Sequence, residues 1–202
     1  MTNEVLDETT MDPDPIAQFQ AWLNDAIAAK LPLPEAMTLA TSTPEGKPSA
    51  RMVLLKQVDD DGFVFFTNYN SVKAAQLVAN PFAALVFYWA QLDRQVRVEG
   101  SVVRTSAQES RDYFMTRPRE SQIGAWASAQ SEVIGSREAL EQRAHELEGL
   151  YFDREVEWPE HWGGYRLKPE RIEFWKSRVG RLHDRILYER ISDGWIISRL
   201  AP

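Results

Sequence analysis

From Trp162 to Leu200 the chain reads as four strands in succession: 162-WGGYRLK-168, 171-RIEFWKS-177, 181-RLHDRILYER-190 and 194-GWIISRL-200, with turn residues between them. Hairpin-linked strands of this kind pair antiparallel and need a common apolar face to bury. That constrains the rest of the chain, because any helices must then pack outside a sheet or barrel.

Upstream, 36-AMTLATS-42 and 48-PSARMVLLKQV-58 also have strand character, and 43-TPEGK-47 between them has turn chemistry. The run 58-VDDDGFVFFTN-68 predicts a hairpin turning at Asp61-Gly62. The apolar run 82-FAALVFYW-89 predicts a strand buried on both faces, and 94-RQVRVEGSVVRT-105 a further one with a bulge or bend at Gly100.

Helix signals separate these strands. Asp14 and Pro15 supply an N-cap and a first helical residue, and Ile16, Phe19, Leu23 and Ile27 recur at helical spacing to about Lys30. A short helix is expected from Ser71 to Ala79, stopped by Asn80-Pro81. Ser106 and Glu109 form a capping box for a helix that Pro118 should end, and another starts near Ser136, with Leu140, Ala144, Leu147 and Tyr151 on its buried stripe. Residues 1–13 are polar and acidic and read as a disordered tail, leaving residues 14–202 as one domain.

Composition excludes several functions. With 30 Asp+Glu against 23 Lys+Arg, the net charge of −7 argues against nucleic-acid binding, so any anion site must be local. There is no cysteine, hence no disulfide, thiolate catalysis or Cys-ligated metal. His145, His161 and His183 lack metal-ligand spacing, and neither G-x-G-x-x-G nor G-x-S-x-G occurs. The first residues lack the apolar region of a signal peptide, and no apolar run is long enough to span a bilayer, so a cytoplasmic, membrane-free protein is expected.

Against that acidic background, cationic clusters stand out. In an extended 181-RLHDRILYER-190, alternation puts Arg181, His183 and Arg185 on one face, roughly 7 Å apart. Periodicity alone leaves a solvated face and a binding face equally open, though Phe174 and Trp175 nearby suit a flat ring. Tyr113 and Arg117 share a helix face with Ser121 just beyond, a set suited to a phosphate monoester, although cations also favour helix C-termini. Arg51 and Lys56 flank an apolar strand and would serve one ligand only if that strand twists or bulges. Lys73, in a first helical turn, is disfavoured by the helix dipole unless an anion binds there. These residues indicate a barrel-like protein for phosphorylated, aromatic ligands, without specifying a reaction.

Taken together, RMVLLK (51–56), FFTNYNSVK (65–73), RQVRVEG (94–100), YFMTRPRESQIGAWAS (113–128), Gln130-Ser131, HWGGYR (161–166) and IEFW…RLHDR…RLAP (172–202) resemble the pyridoxine/pyridoxamine 5′-phosphate oxidase family, over Asp14 to Pro202. The resemblance implies an α+β, mainly β fold: an antiparallel split β-barrel with peripheral helices, acting as a homodimer with two FMN sites at its interface. It also implies oxidation of pyridoxine or pyridoxamine 5′-phosphate to pyridoxal 5′-phosphate, with O2 re-oxidising the flavin to give H2O2. By matching motif, FMN would be held by Arg51, Met52, Val53, Leu54, Leu55 and Lys56, by Phe66, Thr67 and Lys73, and by Gln95, Gln130, Ser131, Trp175 and Arg185, some from the partner subunit. The substrate phosphate would meet Lys56, Tyr113, Arg117 and Ser121. Arg181, the Leu182 backbone and His183 would lie over the substrate ring, Arg181 and His183 positioning it and stabilising charge. Arg178 and Arg190 fall outside the motif as surface charges.

Two departures from the family pattern follow. Where the family commonly has S-R-K, this chain has Ser71-Val72-Lys73; losing one charge-assisted bond weakens FMN binding by about 1.5–3 kcal/mol unless something replaces it. The arginine-rich N-terminal segment that covers the substrate in many members has no counterpart in MTNEVLDETTMD. Competing readings are a same-fold flavin oxidase for a phenazine precursor, and a non-catalytic protein carrying FMN or pyridoxal phosphate.

Overall fold

The computed structural model describes residues 5–202. Strands β1 (Ala36–Ser42), β2 (Pro48–Leu54), β3 (Gln57–Asp59), β4 (Gly62–Asn68), β5 (Phe82–Trp89), β6 (Arg94–Arg104) and β7 (Trp162–Lys176) form one antiparallel sheet in the order β2-β1-β5-β6-β7-β4-β3. Strands β8 (Asp184–Ile191) and β9 (Gly194–Arg199) extend it from β7. Helices α1 (Pro15–Ala28), α2 (Val72–Ala79), α3 (Ala107–Thr116), α4 (Arg119–Ala127) and α5 (Arg137–Leu150) lie around it. This is the mainly β, curled half-barrel with helices that the split-barrel expectation describes. No helix among the described residues is long and apolar enough to cross a membrane.

The sheet divides at β7. One edge pairs with β6, while the other pairs with β4 through 162–167 and with β8 through 171–176. The two strands expected at 162–168 and 171–177 are therefore a single strand. It accommodates Pro169 by a bulge: Glu99 faces Arg171, Gly100 faces Pro169, and Glu170 is left over. Gly100 has to be glycine there, since a Cβ would sit 2.0 Å from the Lys168 carbonyl oxygen.

The strand expected over 48–58 also breaks. Leu55 N–H donates to the Glu35 carbonyl, extending the β1–β2 ladder, whereas Lys56 N–H donates to Val64 in β4. The chain passes from one flank of the sheet to the other between these two residues, and that corner curls the half-barrel.

Asp14 caps α1, its Oδ1 accepting from Ile16 N–H at 2.9 Å, and the helix buries Phe19, Trp22 and Ala26 against the sheet. Phe19 packs between Phe63 and Phe87, with ring centroids 4.9 and 4.8 Å away. A second apolar cluster, with Phe114, Ile123, Leu147, Tyr151 and Trp162, holds α3, α4 and α5 to the start of β7. Pro118 does stop α3, but a new helix, α4, starts at the next residue, so this proline marks a corner between two helices.

Three further expectations need correction. Strand β5 is not buried on both faces, for Phe82 and Tyr88 are exposed. Residues 5–13 of the expected disordered tail are packed: Leu6 and Met11 are buried, and Tyr188 Oη donates to the Asp12 carbonyl at 2.8 Å. Positions 1–4 of that tail lie outside the described residues. Finally, 181–183 is not strand. A 3-10 turn spans 179–181, Gly180 and Arg181 have φ of 69° and 63°, and β8 begins only at Asp184.

Candidate active site

An open cavity of about 630 Å3 lies between the end of β2, strand β4 and helices α2, α3 and α4. Among the described residues, four cationic side chains line it, Arg51, Lys56, Lys73 and Arg117, and no carboxylate does. Arg51 and Lys56 share it because the strand ends at Leu54 and turns, which resolves the face problem that an ideal strand would pose.

At one end, the N-terminus of α2 gathers polar groups. Ser71 caps the helix, its Oγ donating to the Asn68 carbonyl and accepting from Ala74 N–H. Lys73 reaches back from the first turn, with Nζ 2.8 Å from Gln130 Oε1, 3.1 Å from Thr67 Oγ1 and 3.4 Å from Ser71 Oγ. Arg51 donates to Thr41 and, at 3.3 Å, to Gln76 Oε1 of α2. Burial, and then the charge of Arg51, hold the Lys73 amine below its ordinary pKa, and burial does the same to Arg51. Ser131, at a φ of 77°, accepts from Val72 N–H at 3.3 Å. These are two desolvated cations whose hydrogen-bond partners are neutral, at a helix N-terminus, which is the electrostatic complement of a phosphate.

At the other end, the Arg117 guanidinium lies over the Trp162 ring, 4.4 Å from its centroid. Its Nη1 is buried with no hydrogen-bond partner among the described residues, and burial pushes the guanidinium pKa down. Tyr113 and Ser121 join it on the cavity wall, and Phe66 stacks on Tyr113 at 4.0 Å. Met52, Val53 and Leu54 also line the cavity. A flat ring with a phosphate fits either end in chemistry.

The remaining sequence-predicted residues lie elsewhere. Leu55 turns into the core. Gln95, Trp175 and Arg185 are register neighbours across β6, β7 and β8 and do not line the cavity; nor do Arg181, Leu182 and His183. His183 packs on Trp175 with ring centroids 4.7 Å apart. Arg185 is engaged within the chain: Nε and Nη2 donate to Glu173 at 2.8 and 3.1 Å, and Nη1 to the Ala201 carbonyl at 2.8 Å. The one-face alignment of Arg181, His183 and Arg185 fails, because Arg181 sits in the left-handed turn before the strand. Arg178, read as a surface charge, is instead largely covered and bonded to Asp184 at 2.6 Å.

Some wall residues were not anticipated, among them Asn68, Thr116, Ser128 and Trp162. Trp162 was legible only as part of HWGGYR. His161 of that motif is structural, its Nε2 lying 3.0 Å from the Ala125 carbonyl.

Residues 23–151 match the sequence profile of the family described as Pyridoxamine 5′-phosphate oxidase, and residues 162–202 that of the Pyridoxine 5′-phosphate oxidase C-terminal dimerisation region. The chain belongs to the pyridoxine/pyridoxamine 5′-phosphate oxidase family. This family member is 56% identical over 202 residues to the pyridoxine/pyridoxamine 5′-phosphate oxidase of Nostoc sp., covering 100% of this chain and 94% of the relative. The enzyme of that name from Rubrobacter xylanophilus is 57% identical over 201 residues, covering 100% and 93%. The protein is thus an oxidase of this family. Among solved structures, PhzG from Burkholderia lata in complex with tetrahydrophenazine-1-carboxylic acid superposes on the oxidase with a TM-score of 0.93, at 32% identity and 98% coverage of both chains. A pyridoxamine 5′-phosphate oxidase-related, FMN binding protein from Nostoc punctiforme shares the fold, with a TM-score of 0.72 at 18% identity, covering 91% of this chain and 97% of that one.

Proposed function

We propose that this oxidase binds FMN and converts pyridoxine 5′-phosphate or pyridoxamine 5′-phosphate to pyridoxal 5′-phosphate, O2 accepting the electrons and leaving as H2O2. The observation that carries this reading is the cavity with Lys73 and Arg51 at one end and Arg117 at the other, and no carboxylate among the described residues that line it. A protein of net charge −7 that spends desolvated cations at two ends of one cavity is suited to two phosphate-bearing ligands.

Bound FMN supplies the hydride acceptor. Lys73, Arg51, Thr67, Gln130 and Ser131 would hold its phosphate, and the 51–56 segment and Phe66 would hold the rest of the cofactor. Arg117, with Tyr113, Ser121 and Lys56, binds the substrate phosphate through a guanidinium already oriented by Trp162.

Gln95, Trp175, Arg181, Leu182, His183 and Arg185 complete the site from a second copy. Support for a homodimer comes from the match of residues 162–202 to the dimerisation region, which holds all of these but Gln95. Arg181 and His183 then lie over the substrate ring and orient it.

A second reading, oxidation of a phenazine precursor, draws on the likeness to PhzG with its carboxylic-acid ligand. The phosphate-type cluster at Arg117 and the 56–57% identity to pyridoxine/pyridoxamine 5′-phosphate oxidases weigh against it. Side-by-side turnover of pyridoxine 5′-phosphate and of tetrahydrophenazine-1-carboxylic acid by FMN-loaded protein separates the two; preference for the latter overturns the first reading, and flavin without turnover of either favours a carrier.

A further inference from the structure

The segment from Ser177 to His183 joins β7 to β8, and one residue grips it at both ends. The Arg178 backbone N–H donates to His183 Nδ1 at 3.0 Å, while its side-chain Nε donates to Asp184 Oδ2 at 2.6 Å. Asp184 is 7% exposed and pairs with Lys176 in register at the mouth of the hairpin. Its carboxylate is held from three directions, for Oδ2 also accepts from Leu6 N–H at 3.2 Å and Oδ1 from Arg199 Nη1 at 3.1 Å. Burial alone would raise this carboxyl, but the bonds from Arg178, Leu6 and Arg199 outweigh it and keep the group ionised.

A backbone N–H can only donate, so His183 Nδ1 must be the acceptor. The neutral ring then carries its proton on Nε2. We propose that Asp184, acting through Arg178, is a positioning residue that holds His183 as the Nε2–H tautomer, so that the ring meets its ligand as a hydrogen-bond donor and not as a base. The side of the ring is fixed as well, by Trp175 at 4.7 Å. In this arrangement a proton lost from the substrate cannot go to Nε2, which already bears one, and Nδ1 is occupied by Arg178. A carboxylate orienting an imidazole by way of an intermediate group follows the general rule that outer partners choose the tautomer.

The proposal rests on the oxidase reading for the identity of the ligand, but not for the state of the ring. Nitrogen-15 NMR of histidine-labelled, FMN-loaded protein, with His183 assigned by its loss in His183→Gln, reads the tautomer directly. Native protein is expected to show an unprotonated Nδ1 and a protonated Nε2. Asp184→Asn and Arg178→Ala should shift both signals toward the tautomer mixture of free imidazole. They should also lower kcat for pyridoxine 5′-phosphate roughly ten- to a hundredfold while FMN affinity changes less than twofold. Arg178→Ala lies in a loop and tests the idea even where Asp184→Asn does not fold; Arg178→Lys, which keeps the charge near Asp184, should recover part of the rate. Unchanged ring signals in Arg178→Ala overturn the proposal, as does loss of FMN in step with loss of rate. Native protein inert toward pyridoxine 5′-phosphate but showing the expected ring signals would overturn the function above and support the positioning role.

Discussion

The guanidinium carbon of Arg117 lies over Trp162, 4.4 Å from the ring centroid, while its Nη1 is buried with no hydrogen-bond partner among the described residues. A desolvated, pre-oriented and unsatisfied donor is costly to keep unless a ligand completes it. Arg117→Ala should therefore raise KM for pyridoxine 5′-phosphate by roughly tenfold to a hundredfold, the equivalent of about 1.5–3 kcal/mol for a charge-assisted bond, with FMN retention little changed. Arg117→Lys should restore little of it, since a lysine provides neither the fork nor the planar face. Steady-state kinetics beside FMN titration check this; equal losses in both contradict the division of the cavity into two ends.

Lys73 gives the matching prediction at the other end. Lys73→Met should weaken FMN binding by about 1.5–3 kcal/mol yet leave the FMN-free protein at least as heat-stable as the native one, because the native amine is desolvated beside Arg51. The pH dependence has a definite sign. The folded-state pKa is lowered, so just below the ordinary value of 10.5 the unfolded chain binds more protons at this lysine than the folded protein. FMN-free native protein should then gain stability relative to Lys73→Met as pH rises toward 10.5, and lose that gain as pH falls through the lowered value. Melting curves across alkaline pH with and without FMN measure it.

How far the sequence carried this is clearest at particular residues. Local signals were legible: Asp14, Ser71, Ser106 and Ser136 all cap helices, and Gly100 marks a bulge. The two phosphate-type clusters were legible as residue types at suitable spacing, and they do meet in one cavity. What depends on non-local geometry was not. Arg51 and Lys56 converge because hydrogen bonding switches partners between Leu55 and Lys56, which no period-two pattern encodes. The alternation drawn through Arg181 failed because Gly180 and Arg181 turn left-handed, and Arg178, set aside as outside the family motif, is bonded to Asp184 at the start of β8. The acidic N-terminus resembled a disordered tail by composition, yet Leu6 and Met11 are buried in the main apolar cluster, and Leu6 N–H and the Asp12 carbonyl are bonded to Asp184 and Tyr188.

That N-terminal segment is bound to the last strand. Arg199 Nη2 donates to the Leu6 carbonyl at 2.6 Å and to Glu8 at 2.7 Å. Leu6→Ala should cost about 2 kcal/mol, lowering the melting temperature by roughly 4–8 °C for a chain of this size. Arg199→Ala should expose residues 5–12 to limited proteolysis before the rest of the domain is cut; cleavage starting elsewhere would show that the ion pair is not what holds the segment.

The two glycines of HWGGYR serve close packing behind the cavity. A Cβ at Gly163 would lie 2.2 Å from Tyr69 Oη, and one at Gly164 would lie 2.5 Å from Thr105 Oγ1 and 2.9 Å from the Phe66 ring. Gly164→Ala should therefore destabilise the fold by about 1–3 kcal/mol and, by displacing Phe66 from the wall, weaken FMN binding too. Thermal melting and flavin fluorescence together test this. A variant with native stability and native FMN affinity would mean that the wall yields without cost.

The most direct test is a single aerobic reaction. Purified protein is mixed with one equivalent of FMN, freed of unbound flavin, and given pyridoxine 5′-phosphate while aldehyde and peroxide are measured together. A retained yellow flavin and equal amounts of pyridoxal 5′-phosphate and H2O2 are predicted. Protein that cannot retain FMN, or that retains it and forms no aldehyde from either phosphorylated substrate, would contradict the assignment of this cavity.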